Sequence, residues 1–144
     1  MKIKISTKVN QDYKKVFSQF NEDLFVNLNP PGIPFKLNRF DGCKAGGVVN
    51  IELNLLGLKQ EWITHITEDS EDLEEIFFVD ESSKLPFFLS YWHHKHRILK
   101  QKNGSKIIDD ITYRTPFLLL DYLCYPVMYF QFYYRKHIYK EVFK

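Results

Sequence analysis

The stretch Tyr91-Trp92-His93-His94-Lys95-His96-Arg97 decides how the chain is read. As a strand it sends Trp92, His94, His96 and Ile98 to one face. Tyr91, His93, Lys95, Arg97 and Leu99 go to the other, because strand side chains alternate. One face then carries an indole and two imidazoles, and the other is largely cationic. Polar groups on the inner face of a sheet are the informative exception to apolar burial. They mark this face as a candidate cavity wall.

The pattern extends on both sides. Gln101–Ser105, with Asn103-Gly104, is a hairpin turn. Lys106–Arg114 pairs back and places Ile107, Asp109, Ile111 and Tyr113 on one face. Upstream, Glu75–Glu81 is a strand that enters a loop at Ser82–Pro86. Before it, the acidic run Glu68–Glu75 reads as a solvated turn. Lys59–Thr67 is a strand with Trp62, Thr64 and Ile66 on one face, and Val48–Leu56 alternates just as cleanly up to Gly57. Phe35–Phe40 is a short strand behind the helix-stopping Asn29-Pro30-Pro31-Gly32.

At the N-terminus, Lys2–Val9 is a half-buried strand with Ile3, Ile5, Thr7 and Val9 inward. Asn10 is placed to cap a short helix through Tyr13, Val16, Phe17 and Phe20, and Glu22–Leu28 forms a second. Pro116 opens a final helix to about Phe143. Leu123, Val127, Phe130, Tyr134, Ile138 and Val142 form its apolar stripe, and Pro126 is expected to kink or restart it. Strands clustered in sequence before one long helix imply an α+β domain, an antiparallel sheet wrapped on that helix. A helix that fills only part of the concave side leaves a cavity.

Length and composition bound the reading. The 144 residues form one domain, 1–144, large enough to bury a core. Aromatics are the outlier, with 13 Phe, 9 Tyr and 2 Trp, enough for a ring-lined pocket. A formal net charge of +2 does not argue for nucleic acid. Cys43 and Cys124 have no metal or redox spacing and read as free thiols. Met1-Lys2-Ile3-Lys4-Ile5 is no signal peptide, so the cytoplasm is the default. Asp121, Pro126 and Gln131 interrupt the apolar run Phe117–Tyr134, so no stable membrane span is expected.

The sequence resembles the SRPBCC superfamily of START-like and polyketide-cyclase-like proteins, and in it a bacterial ligand-binding branch. Asn29-Pro30-Pro31, Trp62-Ile63-Thr64-His65-Ile66 and Phe78-Val79-Asp80-Glu81 carry the likeness. So do Trp92-His93-His94-Lys95-His96, Asp109-Asp110-Ile111-Thr112-Tyr113, Pro116-Phe117 and Tyr134-Arg135. Two positions depart from that branch: Ile98 stands where it has Phe, and the loop 82–87 lacks its Gln and Gly. The resemblance implies a helix-grip fold and a pocket, and no particular ligand or reaction.

His94 and His96 are about 7 Å apart along one strand face, and Asp109 can reach them across the hairpin. In one reading Asp109 satisfies a histidine within the cavity wall. In another these groups meet the polar end of a bound molecule. In a third, His94, His96 and Asp109 hold a metal; no further ligand pattern supports that, so no metal or organic cofactor is expected.

As catalytic candidates, His94 or His96 is a general base oriented by Asp109, in a cyclase or hydrolase type of enzyme. Tyr113 can donate to a developing oxyanion. Trp62, Phe78 and Trp92 complete the expected ligand-binding set. The expected partner is a small hydrophobic or amphipathic molecule. Exposed rings of the last helix, among Tyr129, Phe132, Tyr133 and Tyr139, would make a homodimer or membrane patch.

Overall fold

Alternation builds the sheet. In the computed structural model, which describes residues 1–144, β1 (Lys2–Val9) buries Ile3, Ile5, Thr7 and Val9 and exposes the residues between them. Two short helices follow, α1 (Tyr13–Ser18) and α2 (Glu22–Asn27). The cap of α1 is Asp12, whose carboxylate accepts from Lys14 N, and not Asn10. Asn21 caps α2 in the same way through Leu24 N.

Six strands then form a meander: β2 (Phe35–Phe40), β3 (Val48–Leu55), β4 (Leu58–Glu71), β5 (Glu75–Lys84), β6 (Tyr91–Gln101) and β7 (Gly104–Arg114). The sheet order is β1-β7-β6-β5-β4-β3-β2, antiparallel throughout. The long helix α3 (Leu118–Val142) closes the chain. Irregular registers at Leu37/Arg39, Ile63/Thr64 and Ile66/Glu68 bend the strands farthest from α3's contacts with β1 and β7. This is the expected α+β helix-grip architecture.

Three expectations need correction. The acidic run is not a turn: β4 continues to Glu71, because Glu68–Glu71 pair with Ile76–Val79, and only Asp72–Glu74 turn. Asp72 holds that turn, accepting from Glu74 N and Glu75 N. Pro126 does not restart the helix, which is continuous from Leu118 to Val142. The buried stripe of α3 is also a different one. Leu123, Val127 and Phe130 are 64–65% exposed, whereas Asp121, Met128, Phe132 and Tyr139 are buried.

The reason for the reversed stripe is chemical. Apart from Asp121 and Gln131, the first four turns of α3 are apolar all round, so polarity is the only cue to facing. Asp121 and Arg135 face inward, where each meets an opposite polar group. Asp121 Oδ1 accepts from Thr115 N at 2.6 Å and Thr115 Oγ1 at 2.7 Å. Gln131 and Arg135 face the cavity described below. Tyr129 and Tyr133 stand half-exposed in a stacked ladder with Tyr125. Phe132 and Tyr139 are core residues.

The interior is divided. One apolar cluster joins Val9, Val16, Leu24, Ile76, Ile98 and Phe143 near the C-terminal end of α3. Another joins Ile3, Ile5, Trp92, Ile111, Met128 and Phe132 nearer its N-terminal half. On β6, positions 94 and 96 lie between them. Both cysteines are free. No helix is long and apolar enough to cross a membrane.

The β6–β7 hairpin supplies a test of this packing. Its loop is Lys102-Asn103, and Gly104 enters the strand opposite Gln101 with φ +122°. A Cβ there would sit 2.2 Å from the Val9 carbonyl oxygen. Gly104→Ala is expected to lower stability by more than about 1 kcal/mol, read as a fall in the urea midpoint at constant slope. Gly57→Ala, strained at φ +84° but with open space around it, should cost less.

Candidate functional site

Register assembles the site. Pairing of β5 with β6 sets Asp80 opposite His94 and Phe78 opposite His96. Pairing of β6 with β7 sets His96 opposite Asp109 and Trp92 opposite Tyr113. Since Phe78, Asp80, Trp92, His94, His96 and Asp109 all point inward, two carboxylates and two imidazoles meet beneath α3.

Their contacts form one closed network. His94 Nε2 lies 3.0 Å from Asp109 Oδ1, and His96 Nε2 lies 2.6 Å from Asp80 Oδ2. Trp92 Nε1 donates to Asp80 Oδ1 at 2.8 Å. His94 Nδ1 is 3.6 Å from Asp80 Oδ2, and His96 Nδ1 is 3.8 Å from Asp109 Oδ1. Arg135 reaches over from α3 to within 3.8 Å of Asp109 Oδ1, its guanidinium lying on the Phe132 ring. The imidazoles are 3.6 Å apart between ring centres, and Phe78 stacks on His96 at 4.2 Å. These ring contacts fix the imidazole planes, so their nitrogens are aimed and not free to swing.

Charge follows from this geometry. Burial opposes ionisation of Asp80, but His94, His96 and the Trp92 N–H together outweigh it, so its pKa lies below the ordinary carboxylate value. Burial opposes Asp109 as well, and His94, Arg135 and His96 outweigh it. His94 moves the other way. Burial first, then its neighbour His96, depress it to about 4 against the pull of Asp109 and Asp80. An ionised carboxylate only accepts, so His94 Nε2–H donates to Asp109 and His96 Nε2–H donates to Asp80.

The cluster borders a largely apolar cavity of about 160 Å³, room for roughly five waters. Nineteen of its 28 lining residues are hydrophobic. The walls come from α2, β2 to β6 and α3, with Leu24, Phe35, Ile51, Trp62, Phe88 and Phe132 among them. Trp62 meets Trp92 edge to face at 4.9 Å, and its indole donates to Ser82 Oγ.

The structure therefore brings Trp62, Phe78, Trp92, His94 and His96 to the cavity wall. Asp109 stands one layer back, fully buried behind His94. Tyr113 lies outside the lining: its hydroxyl donates to the Asp121 carbonyl, which ties β7 to the first turn of α3. That tie replaces the oxyanion role considered for it.

Asp80 and Arg135 are the residues that sequence reasoning missed. Asp80 was legible, since alternation from Ile76 and Phe78 carries it inward. Arg135 was hidden by the misread helix face. Cys43, read only as a free thiol, also reaches the cavity. Burial, with the Asp80 charge second, pushes its thiol up to about 12, so it is no ready nucleophile. Chemically, the arrangement can orient a polar group at the end of an apolar molecule. The neutral imidazole of His94 against Asp109 is also the pairing of a general base.

No family model and no curated protein sequence matches the chain. Solved structures do. A truncated norcoclaurine synthase from Thalictrum flavum superposes with a TM-score of 0.65 at 12% identity, covering 88% of this chain and 82% of that one. A protein from Arthrobacter aurescens gives 0.64 at 16% identity over 95% and 81%. Ara h 8.0201 gives 0.54 at 15% identity over 82% and 80%. At such identities the likeness carries the fold alone, the helix-grip arrangement of a curved antiparallel sheet on a long C-terminal helix.

The His94 environment sets a pH dependence. Its folded pKa of about 4 lies below the ordinary 6.5, so the unfolded chain binds a proton that the folded one refuses. The stability from His94 is fully present above pH ~6.5 and is lost as pH falls toward ~4. Asp80 and Asp109, both lowered, add a further loss below the ordinary carboxylate range. Urea unfolding is expected to show a decline on the order of 2–3 kcal/mol between pH ~7 and pH ~4.5. A flat profile over that window would contradict a buried, neutral His94.

Proposed function

We propose that the protein binds one small amphipathic molecule in the cavity between its sheet and α3. The observation that carries this is the lining: a chamber walled mainly by apolar and aromatic residues, into which Asp80, His94, His96 and Arg135 bring one joined polar cluster. Such a division is what a ligand with an apolar body and one polar group requires. The apolar body lies against Ile51, Trp62, Phe88 and Phe132, and the polar group meets Asp80, His96 and Arg135. The neighbours support the reading, since a norcoclaurine synthase variant was solved in complex with a transition-state analogue.

A probe of matching size tests it. 2-Naphthol has an apolar bicycle and one hydroxyl, and it is expected to bind one per chain. Ile51→Trp fills the cavity from β3 and should weaken that binding at least tenfold while the protein stays folded. Equal binding by the filled variant would contradict the proposed location.

A second reading rests on the outer face of α3. Leu118, Leu119, Tyr122, Leu123, Val127 and Phe130 are all more than 60% exposed, with no charge among them. Tyr129, Tyr133 and, farther along the helix, the exposed Lys140 add the aromatic and cationic trim of segments that lie on membranes. In this reading the face rests on an anionic bilayer surface. Flotation with anionic vesicles, lost in Leu123→Lys with Phe130→Lys, checks it; a mass that rises with concentration and no flotation points to self-association instead.

A further inference from the structure

We propose that Asp80, His94 and His96 form a binding site for one divalent first-row transition-metal ion, with its open positions turned into the cavity. The sequence offered Asp109 as the carboxylate of a metal triad, and the structure puts Asp80 in that place. One ligand atom from each of Asp80, His94 and His96 lies within 4.8 Å of the other two. Asp80 Oδ2 is 2.6 Å from His96 Nε2 and 3.6 Å from His94 Nδ1. Zinc-type ions hold nitrogen and oxygen at about 2.0–2.2 Å, which sets ligands about 3.3–3.5 Å apart around a tetrahedron. The Asp80–His96 contact must open by less than about 1 Å, the Asp80–His94 distance already fits, and the ligand nitrogens of the two histidines lie within 4.8 Å of each other.

The surrounding residues suit the assignment. Metal-bound histidines characteristically donate their second ring N–H to a carboxylate, which fixes the ring. Asp109 occupies that position for His94, and it faces His96 Nδ1 as well, at 3.8 Å. That Nδ1 is buried with no hydrogen-bond partner. Trp92 Nε1–H holds the second oxygen of Asp80. The Arg135 charge is directed at Asp109 and not at the three ligands. His94, with Nε2 committed to Asp109, necessarily presents Nδ1 on the Asp80 side.

Two imidazoles and one carboxylate favour zinc, iron(II), cobalt(II) and their neighbours over magnesium or calcium, which take oxygen. Three protein ligands leave coordination positions free. All three ligand residues line the cavity, so a hydroxyl or carboxylate of a bound molecule could take such a position. Metal binding is separable from the ligand-binding reading, because 2-naphthol uptake by chelated protein reports on the cavity alone.

The test uses the untagged full chain, stripped with a chelator and titrated with zinc chloride and with cobalt chloride. Calorimetry should give one ion per chain, and cobalt should develop visible d–d bands. Asp80→Asn, His94→Gln and His96→Gln should each abolish the stoichiometric binding. Asp109→Asn should retain it with affinity reduced about 10–100-fold.

Where a variant fails to fold, the wild type still decides. Zinc should shift the ring resonances of His94 and His96 and leave those of His65, His93 and His137 in place. No stoichiometric uptake by the folded wild type, uptake unchanged in a folded His96→Gln, or shifts confined to the other three histidines would each overturn the site.

Discussion

Two carboxylates are buried beneath α3, and the register of β5, β6 and β7 is what makes that tolerable. A buried carboxylate left unpaired costs several kcal/mol. Asp80 and Asp109 avoid that cost because the ladders place His94 and His96 between them. A slip of β6 by one residue would turn His94 and His96 to the convex face and set Lys95 and Arg97 inward, leaving Asp80 and Asp109 without their imidazoles. The polar cluster is thus a registry device as well as a site. It also divides the interior, with apolar packing completed at each end of the sheet and a gap left between.

That gap is the second consequence. The helix crosses the concave side close to β1 and β7, so its far flank meets β2 to β4 only across open space. Bulges in β2 and β4 bend those strands around the space without closing it. Rings line the space because edge-to-face and stacked pairs hold their shape with few rotatable bonds. The polar end is held still by the same rings, Phe78 on His96 and Phe132 under Arg135. A preorganised polar end costs a ligand little ordering when it binds.

Much of this was legible in the residues. Period-2 alternation located all seven strands and the inward faces of β1, β6 and β7. What failed did so for physical reasons. Glu68–Glu71 read as a turn because four polar residues carry no alternation of burial, yet backbone pairing with Ile76–Val79 needs none.

The face of α3 reversed because its inward polar residues meet groups that periodicity cannot see: Asp121 accepts from Thr115, and Arg135 lies 3.8 Å from Asp109 and over the Phe132 ring. Arg135 was lost with that face. Asp80 needed only the alternation of β5 to be followed two residues beyond Phe78. Tyr113 was placed on the correct face, but its hydroxyl is spent on the helix.

The central claim is that the interior between sheet and helix takes up a molecule whose polar end meets the histidine–aspartate cluster. The chain reports on this through its two tryptophans. Trp62 and Trp92 both line the cavity, and their indole N–H groups donate to Ser82 and Asp80. The most direct measurement is the proton–nitrogen correlation spectrum of those two indole groups during a 2-naphthol titration. The account predicts that both resonances shift and saturate together at one probe per chain, while the amide of Gly104, at the β6–β7 hairpin, stays in place. Indole resonances that do not move at saturation, or shifts confined to the exposed face of α3, would contradict it.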